Sequence, residues 1–249
     1  MSGNSVEYQR SGATFNGSGP LPTLLKALGP HQHDLEKFAR VETLRAGQIV
    51  NREDQTGGRI GYVLEGVLAL SKNLPDGRHN ILGVLGPNDM YGRAFDDSAI
   101  CQIKALTDSR IYSLERAAFE DILKQDPAIE RLLLLNVLDE IDAAREWVLL
   151  LGCHRVVERV ASYLLILCRR KIRMTRASKQ PAQGPLRVKV EIRRSDLAHY
   201  LGARAESLSR AFHELEARGA IRIINANTFE IVDLNILIEI GNHDIKGAF

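Results

Sequence analysis

The stretch "SDLAHYLGARAESLSRAF", residues 195–212, decides the fold of the C-terminal part of the chain. Ala198, Gly202 and Leu208 stand in it at offsets 0, +4 and +10. A small residue lets a second helix approach the first, a glycine adopts the positive φ of a tight turn, and an aliphatic side chain fills the angle between two helices. The spacing therefore predicts a helix-turn-helix whose second helix covers about residues 205–217. The apolar seam between the helices is completed by Leu197, Leu201 and Phe212.

The segments around this stretch predict a winged helix. "RVVERVASYLLILCRRKI" (155–172) has the apolar spacing of a helix, and "LRVKVEI" (186–192) alternates as a strand does. "AIRIINANTFEIV" (220–232) is typical of two short strands around an Asn-Ala-Asn turn. Helix, strand, helix-turn-helix and hairpin in this order describe a winged helix, and we place this domain at residues 153–249.

The charge of the chain is unevenly distributed. Residues 152–225 contain 16 Lys and Arg against 6 Asp and Glu, a net charge of +10, whereas the whole chain carries +2. The remainder therefore carries −8. A basic block attached to an acidic one favours a module that binds a polyanion such as DNA, although a basic face is more often only solvated surface.

Three polar residues on the predicted second helix have the chemistry of base readout. Glu206, Ser209 and Arg210 lie at i, i+3 and i+4 near the helix N-terminus, the end that enters the major groove. Arginine can donate two hydrogen bonds to guanine O6 and N7, a carboxylate can accept from the exocyclic amine of cytosine or adenine, and serine can contact a base edge or a thymine methyl. Contacts to DNA phosphates, which position without specifying, are expected from Arg193, Arg194, Arg204 and His213.

The N-terminal half has a different pattern. Between residues 42 and 115, short apolar segments alternate with glycines at the spacing of a compact antiparallel roll or barrel. A Pro75-Asp76-Gly77 turn lies between two apolar runs and indicates a hairpin. We place this domain at residues 21–127. Residues 1–20, rich in Gly, Ser and Asn, are expected to form a flexible tail.

A long helix is predicted between the two domains, over residues 128–152. Apolar residues recur in it at steps of 3, 4, 3, 4 and 3. A stripe of this length is more often part of a core, but further leucines give the same helix a second apolar face, so it must pack against two partners. We expect one of them to be a second copy of the chain. The predicted dimer stripe consists of Leu134, Val137, Ile141, Ala144, Val148 and Leu151.

Several classes of function and location lack support. No apolar run is long enough for a membrane span and no signal peptide is evident, so a cytoplasmic protein without membrane contact is expected. No nucleophile–base pair, metal-ligand cluster or phosphate loop points to an enzyme. The three cysteines have no C-x-x-C spacing and are expected to be free thiols. Cys153, at the end of the long helix, is a candidate redox switch, whereas Cys168 is expected to be inert core.

From about residue 21 onward, the sequence resembles the CRP/FNR family of bacterial transcription regulators. The segments "LRAGQIV", "VLEGVLAL" with Gly66, and "GPNDMYG" with Asp89 and Gly92 match scaffold motifs of its roll, and "DPAIERLLLL" and "VVERVASYLL" match its helices. The resemblance implies an α+β fold: a β-roll of the double-stranded β-helix (cupin-like) type, similar to cyclic nucleotide-binding domains, then a dimerisation helix and a winged helix-turn-helix. It also implies a homodimer that contacts RNA polymerase, mostly as an activator.

The E-x-x-S-R motif of Glu206, Ser209 and Arg210 resembles the FNR/FixK branch of the family. The cAMP-receptor branch instead has R-E-x-x-G-R, and here Ala205 replaces its first arginine. The FNR/FixK resemblance implies the half-site TTGAT within the palindrome TTGAT-N4-ATCAA, with Arg210 on the guanine.

The resemblance ends at the family's effector sites. The cAMP site requires G-E-L followed by Arg-Ser, and this chain has Gly92-Arg93-Ala94 with no Arg-Ser after it. The iron–sulfur type requires three N-terminal cysteines and one in the roll, but the first cysteine here is Cys101 and Tyr112 occupies the roll position. We therefore expect no cAMP site, no iron–sulfur cluster and no cofactor.

Two alternatives stay open. One is a haem- or other ligand-dependent gas or redox sensor of the NNR/DNR type, and the other is a cyclic-nucleotide-responsive regulator. His31 and His33 offer ligands for haem or a metal, but a loop H-x-H is more often solvent-exposed polar sequence.

Overall fold

The computed structural model describes residues 24, 27, 28, 31, 37–51, 58–73, 79–95, 101–177 and 184–241. The expected tail over residues 1–20 and the Pro75-Asp76-Gly77 turn lie outside these residues. The chain divides into two compact units, Met1–Ile141 and Asp142–Phe249. The division falls inside the long helix rather than at one of its ends.

The first unit is an antiparallel roll, as predicted. Two four-stranded sheets have the strand orders β1-β8-β3-β6 and β2-β7-β4-β5, and every pairing is antiparallel. Burial alternates along the central strand β8, as expected where one face of a strand packs inward. The strands are β1 (Ala39–Leu44), β2 (Ile49–Asn51), β3 (Arg59–Glu65), β4 (Leu68–Asn73), β5 (His79–Leu85), β6 (Met90–Tyr91), β7 (Gln102–Ala105) and β8 (Ser109–Glu115).

The predicted hairpin is confirmed by the pairing of β4 with β5, whose register brings Asn73 opposite His79 at the turn end. The scaffold residue Asp89 fixes the turn before β6, because its carboxylate accepts a hydrogen bond from the Gly86 N–H at 2.8 Å. The Asp89 carbonyl accepts a further bond from the Val63 N–H at 3.0 Å, which attaches this turn to β3.

Two apolar clusters form the core of the first unit. One draws on strands of both sheets and fills the roll with Leu44, Val63, Leu68, Tyr91, Ile103, Ala105 and Ile111. The other packs the helix α1 (Arg116–Gln125) and the start of the long helix against β3 and β8. Leu24 and Leu28 are buried in this second cluster beside Ile129 and Leu133, so this part of the N-terminal segment belongs to the core.

The long helix α2 (Pro127–Gly152) agrees with its prediction to within one residue. Proline is favourable at a first helical position, and the preceding Asp126 accepts a hydrogen bond from the Ala128 N–H at 2.9 Å. Ile129 and Leu133 are buried near the start of the helix and Leu150 near its end, whereas most of the residues between them are exposed. The helix therefore contributes to the core of both units and leaves an uncovered middle.

The second unit is the predicted winged helix. Its elements are α3 (Val156–Ala177), β9 (Arg187–Lys189), α4 (Arg194–Tyr200), α5 (Ala205–Ala217), β10 (Ile221–Asn225), β11 (Thr228–Ile231) and α6 (Leu234–Gly241). The three strands form one antiparallel sheet in the order β10-β11-β9. The helix α6 was not predicted; it packs on α3, where the Ser162 hydroxyl donates to the Gly241 carbonyl at 3.1 Å.

Gly66 provides a test of the roll. It has φ +83°, and a Cβ there would lie 2.3 Å from Ser109 Oγ and 2.5 Å from the Asp108 carbonyl oxygen. Gly47 has φ +94° but nothing within 4 Å of a Cβ. We expect Gly47→Ala to cost about 1–2 kcal/mol from φ strain alone. Gly66→Ala should cost about 3 kcal/mol or more, because backbone atoms must also move.

Urea unfolding followed by circular dichroism measures both costs. Equal losses of unfolding free energy in the two variants would contradict the close approach at Gly66.

Candidate nucleic-acid interface

A tight turn at Gly202 joins α4 to α5. Gly202 has φ +57°, its N–H donates to the His199 carbonyl at 3.1 Å, and the Ala203 N–H donates to the Ala198 carbonyl at 2.8 Å. This pair of bonds is the Schellman arrangement, in which a glycine in the left-handed conformation ends a helix and satisfies its last carbonyls. The predicted role of Gly202 is confirmed, and the turn determines where α5 begins.

The apolar seam predicted between these helices is present. Ala198 is buried where α5 approaches α4, and Leu208 is fully buried between them. The inner face of α5 consists of Leu208, Ala211, Phe212 and Leu215. Because this face is committed to the core, the opposite face of α5 must point to solvent.

The three predicted base-reading residues lie on that outer face. Glu206, Ser209 and Arg210 are exposed in the first turns of α5, whose observed bounds agree with the predicted ones. None of the three side chains makes a hydrogen bond or ion pair within the described residues. The Arg210 guanidinium, the Glu206 carboxylate and the Ser209 hydroxyl are therefore available together to an external partner.

The arginines of the winged helix divide into two groups. Within residues 184–241, four of them already have acceptors in the protein. Arg187 and Arg222 bond the buried carboxylate of Glu230 at 2.9 and 2.7 Å, Arg218 pairs with Glu214 at 2.9 Å, and Arg194 bonds the Ala226 carbonyl. Within residues 184–241, the arginine side chains that make neither a hydrogen bond nor an ion pair are Arg193, Arg204 and Arg210.

Two of the expected phosphate contacts are at helix starts. Arg193 and Arg204 are the exposed N-cap residues of α4 and α5, and neither side chain caps its own helix. Both cations therefore stand beside helix N-termini, where backbone N–H groups also favour an anion. His213 is exposed further along α5, with Nδ1 3.8 Å from Glu216 Oε2.

Arg194 is placed differently from its prediction. Its guanidinium carbon lies 4.0 Å from the centre of the Phe212 ring, and Nη2 donates to the Ala226 carbonyl at 2.6 Å. Burial lowers the pKa of Arg194. This guanidinium therefore has partners inside the winged helix, and its expected phosphate contact stays a prediction.

An aromatic cluster that the sequence did not predict lies beside the helix-turn-helix. Trp147 of α2 stacks on Tyr200, the last residue of α4, with ring centroids 3.9 Å apart and planes 13° apart. Tyr163 of α3 contacts Tyr200 edge-on at 6.0 Å, and burial raises its pKa. The end of α2 is thereby attached to α4 just before the Gly202 turn. An ion pair between Glu146 and Arg169 joins α2 to α3 in the same unit.

The predicted dimer stripe of α2 is exposed. Leu134, Val137, Ile141, Val148 and Leu151 are between 37% and 66% exposed, and Ala144 is exposed with them. Leu135, Leu138 and Leu149 extend this apolar surface. An apolar surface of this extent is typical of an interface with another protein.

The cysteines are free within the described residues. Burial raises the pKa of the Cys168 thiol to about 12, which agrees with an inert core residue. Cys153 is half-buried, with Sγ 3.7 Å from the Leu149 carbonyl oxygen and 4.0 Å from Ser162 Oγ. Its redox role stays a prediction.

The described residues contain no group of three or more His, Cys, Asp and Glu side chains able to hold a metal. His31 Nε2 lies 3.2 Å from Asp126 Oδ2, and the hydrogen bond between them holds the pKa of Asp126 below its usual value. His33 lies outside the described residues. None of the described helices is long and apolar enough to cross a membrane.

Both halves of the chain match known families. Residues 41–126 match the cyclic nucleotide-binding domain family, and residues 158–240 match the Crp-like helix-turn-helix domain family.

Known proteins resemble the chain over most of its length. The transcriptional activator protein FnrL of Cereibacter sphaeroides is 30% identical over 243 residues, which cover 92% of this chain and 97% of FnrL. The nitrogen fixation regulation protein FixK of Bradyrhizobium diazoefficiens is 31% identical over 192 residues, 77% of this chain and 78% of FixK. The structure of FixK2 from Bradyrhizobium japonicum is similar with a TM-score of 0.70 at 25% identity, covering 81% of this chain and 96% of FixK2.

Proposed function

The chain belongs to the CRP/FNR family of bacterial transcription regulators and is a transcriptional activator of the FNR/FixK type, and from this premise we propose how it acts. It binds the palindrome TTGAT-N4-ATCAA as a cytoplasmic homodimer and contacts RNA polymerase there. It has no cAMP site and no iron–sulfur cluster, and it is not an enzyme.

One observation carries the DNA-binding proposal: Glu206, Ser209 and Arg210 are exposed and unpaired on the outer face of α5, among the described residues. Arg210 is free to donate two hydrogen bonds to guanine O6 and N7. Glu206 accepts from an exocyclic base amine, and Ser209 reads a base edge or a thymine methyl. A carboxylate among phosphates is unfavourable unless it reads a base, so Glu206 favours specific over purely electrostatic binding.

The phosphate contacts come from Arg193, Arg204 and His213. Arg193 and Arg204 mark the starts of α4 and α5, so their contacts on the DNA backbone would hold both helices in register with the major groove. Arg187, Arg218 and Arg222 have carboxylate partners within the protein, so these cations are less available to DNA than Arg193 and Arg204.

The exposed stripe of α2 supports the homodimer. A palindrome with half-sites about one helical turn apart requires two recognition helices, here the α5 helix of each subunit, at a matching separation. Pairing of the α2 helices through Leu134, Ile141 and Val148 would provide that separation and cover the apolar surface.

Two side chains support the proposed absence of a cAMP site and of an iron–sulfur cluster. Arg93, exposed after β6, stands where the cAMP site of the family has a carboxylate, and it offers a cation instead. Tyr112, at the position of the roll cysteine, offers no thiolate, and burial raises its pKa. Haem or another ligand remains the first addition to test if the protein alone does not bind DNA.

The proposal is tested by titrating purified, reduced, cofactor-free protein onto a TTGAT-N4-ATCAA duplex and onto a scrambled duplex at physiological salt. Tight binding that prefers the palindrome supports both the readout and an active apo dimer. Equal binding to the two duplexes would contradict the proposed half-site. Specific binding that requires added haem would replace the effector-free part of the proposal with the ligand-dependent alternative.

Substitution of Arg210 should change sequence specificity, whereas substitution of Arg204 should not. Arg210→Ala should cost about 1–3 kcal/mol per half-site and relax the preference for guanine at that position, because a base contact is lost. Arg204→Ala should weaken binding to all sequences alike and lower the salt slope by about 1 per half-site. The measurement is binding to single-base operator variants at several salt concentrations. If the two variants behave alike, the assigned orientation of α5 is wrong.

The dimer stripe is tested at Val148, which is 66% exposed. Val148→Glu should produce monomers, because an unpaired carboxylate in an apolar interface costs several kcal/mol. Ala143→Glu is the matched control, since Ala143 is exposed on α2 but lies outside the stripe. Analytical ultracentrifugation should show a monomer for the first variant and a dimer for the second, with operator binding lost only in the first. Two dimers would overturn the assignment.

The Trp147–Tyr200 stack should transmit changes in α2 to the helix-turn-helix. Trp147 is the single tryptophan of the chain, so its fluorescence reports on the stack. Tyr200→Leu should change the emission and lower operator affinity by about 0.5–1.5 kcal/mol per subunit, the typical value of a ring pair. Tyr200→Phe keeps both rings and should preserve the emission. Full affinity in Tyr200→Leu would show that the stack does not position α4.

A further inference from the structure

We propose that Arg194 is a positioning residue of the DNA-binding unit, which attaches the turn of the wing to the recognition helix and makes no phosphate contact. The wing is the β10–β11 hairpin and its turn is Asn225-Ala226-Asn227. This inference rests on the proposed DNA-binding function for its effect on affinity, but the attachment itself is a property of the free protein.

The Arg194 side chain contacts three elements at once. Arg194 is the first residue of α4. Its guanidinium carbon lies 4.0 Å from the centre of the Phe212 ring of α5 and 5.3 Å from the centre of the Phe229 ring of β11. The two rings stack on each other with centroids 4.4 Å apart and planes 13° apart. One cation therefore covers the aromatic contact that joins the recognition helix to the wing.

The polar end of the same side chain fixes the wing turn. Nη2 donates to the Ala226 carbonyl at 2.6 Å, although the two residues are 32 positions apart in sequence. The turn is closed internally by the Asn227 N–H, which donates to Asn225 Oδ1 at 3.0 Å. The Asn227 carbonyl accepts from the Val190 N–H at 2.8 Å. The turn is thus held on one side by Arg194 and on the other by the segment after β9.

These contacts require arginine. Its guanidinium is flat, so it can lie on a ring and donate at its edge in the same conformation, whereas a lysine ammonium is a strongly hydrated point charge. A partly buried cation is unfavourable without compensation, and the ring faces and the carbonyl provide it. Nη1 is buried and has no hydrogen-bond partner among the described residues, which agrees with a guanidinium directed into the protein.

We expect Arg194 to favour DNA binding by holding the wing turn in position relative to α5 before the DNA is bound. Asn225 and Ala226 are exposed at the tip of the wing, where amide groups and backbone N–H groups can bond phosphate oxygens. A turn already fixed relative to α5 loses less conformational freedom when both meet the duplex, so affinity is gained without a new contact. A direct phosphate contact would act differently, since it would contribute to the salt dependence of binding.

Two substitutions distinguish positioning of the wing from a direct phosphate contact. Arg194→Lys keeps the charge, and Arg194→Gln keeps a hydrogen-bond donor. If Arg194 positions the wing, both should lose about tenfold in operator affinity with the salt slope of the wild type, because only preorganisation is lost. Arg193→Ala is the matched control on the neighbouring exposed residue, and it should lower the salt slope by about 1 per half-site. If Arg194→Lys binds like the wild type while Arg194→Gln loses salt slope, Arg194 contacts phosphate and the proposal fails.

Hydrogen exchange of the full-length free protein provides a readout that does not involve DNA. Peptides covering residues 221–231 should exchange faster in both Arg194 variants than in wild type and in Arg193→Ala. Unchanged exchange would overturn the attachment even if affinity fell. Should wild-type protein fail to bind the operator, the proposed DNA function fails, whereas faster exchange in the variants would still support the attachment of the wing.

Discussion

The Gly202 turn is the constraint on which the DNA-reading surface depends. With φ at +57° and two hydrogen bonds back to α4, the turn leaves only four residues between the end of one helix and the start of the next. This abrupt change of direction brings Leu208 into the angle between the helices and rotates Glu206, Ser209 and Arg210 to the outside. A residue with a Cβ would pay about 1 kcal/mol or more for that φ, and a looser turn would move all three side chains together.

Folding determines which arginines of the basic segment have partners within the protein and which remain unpaired at the surface. The basic segment carries +10 in sequence, but most arginines of the described winged helix are bonded to Glu230, to Glu214 or to backbone carbonyls. Within residues 184–241, the unpaired arginines are Arg193, Arg204 and Arg210, at the starts of two helices and on the reading face. Net charge therefore gives no information on the positions of the cations that are available to DNA.

The sequence was sufficient where a feature depends on residues close together in the chain. The helix-turn-helix, the bounds of α5 and the exposed stripe of α2 follow from spacing over a few turns, and all three agree with the structure. The bond of Arg194 to the Ala226 carbonyl could not be predicted because the two residues are 32 positions apart, and basic character alone does not distinguish a phosphate contact from a bond inside the fold. The stack of Trp147 on Tyr200 was missed for the same reason, since neither periodicity nor composition indicates which aromatic residues meet. The helix α6 was missed although a signal was present, because Asp233 stands before the apolar run and its carboxylate caps the helix by accepting from the Asn235 and Ile236 N–H groups at 2.8 and 3.1 Å.

The long helix carries the proposed dimer stripe and the contact with the helix-turn-helix on adjacent residues. Successive residues of an α-helix point about 100° apart, so Trp147 can face α4 while Val148, next to it, stays exposed in the dimer stripe. A rotation of α2 that changed the pairing of the stripe would also move the indole that stacks on Tyr200. Tyr200 ends the helix just before Gly202, and the position of α5 follows from that turn. In the proposed homodimer, the separation and the orientation of the two α5 helices therefore depend on the same segment of α2, and a signal acting on that segment would change DNA affinity without contacting either half-site.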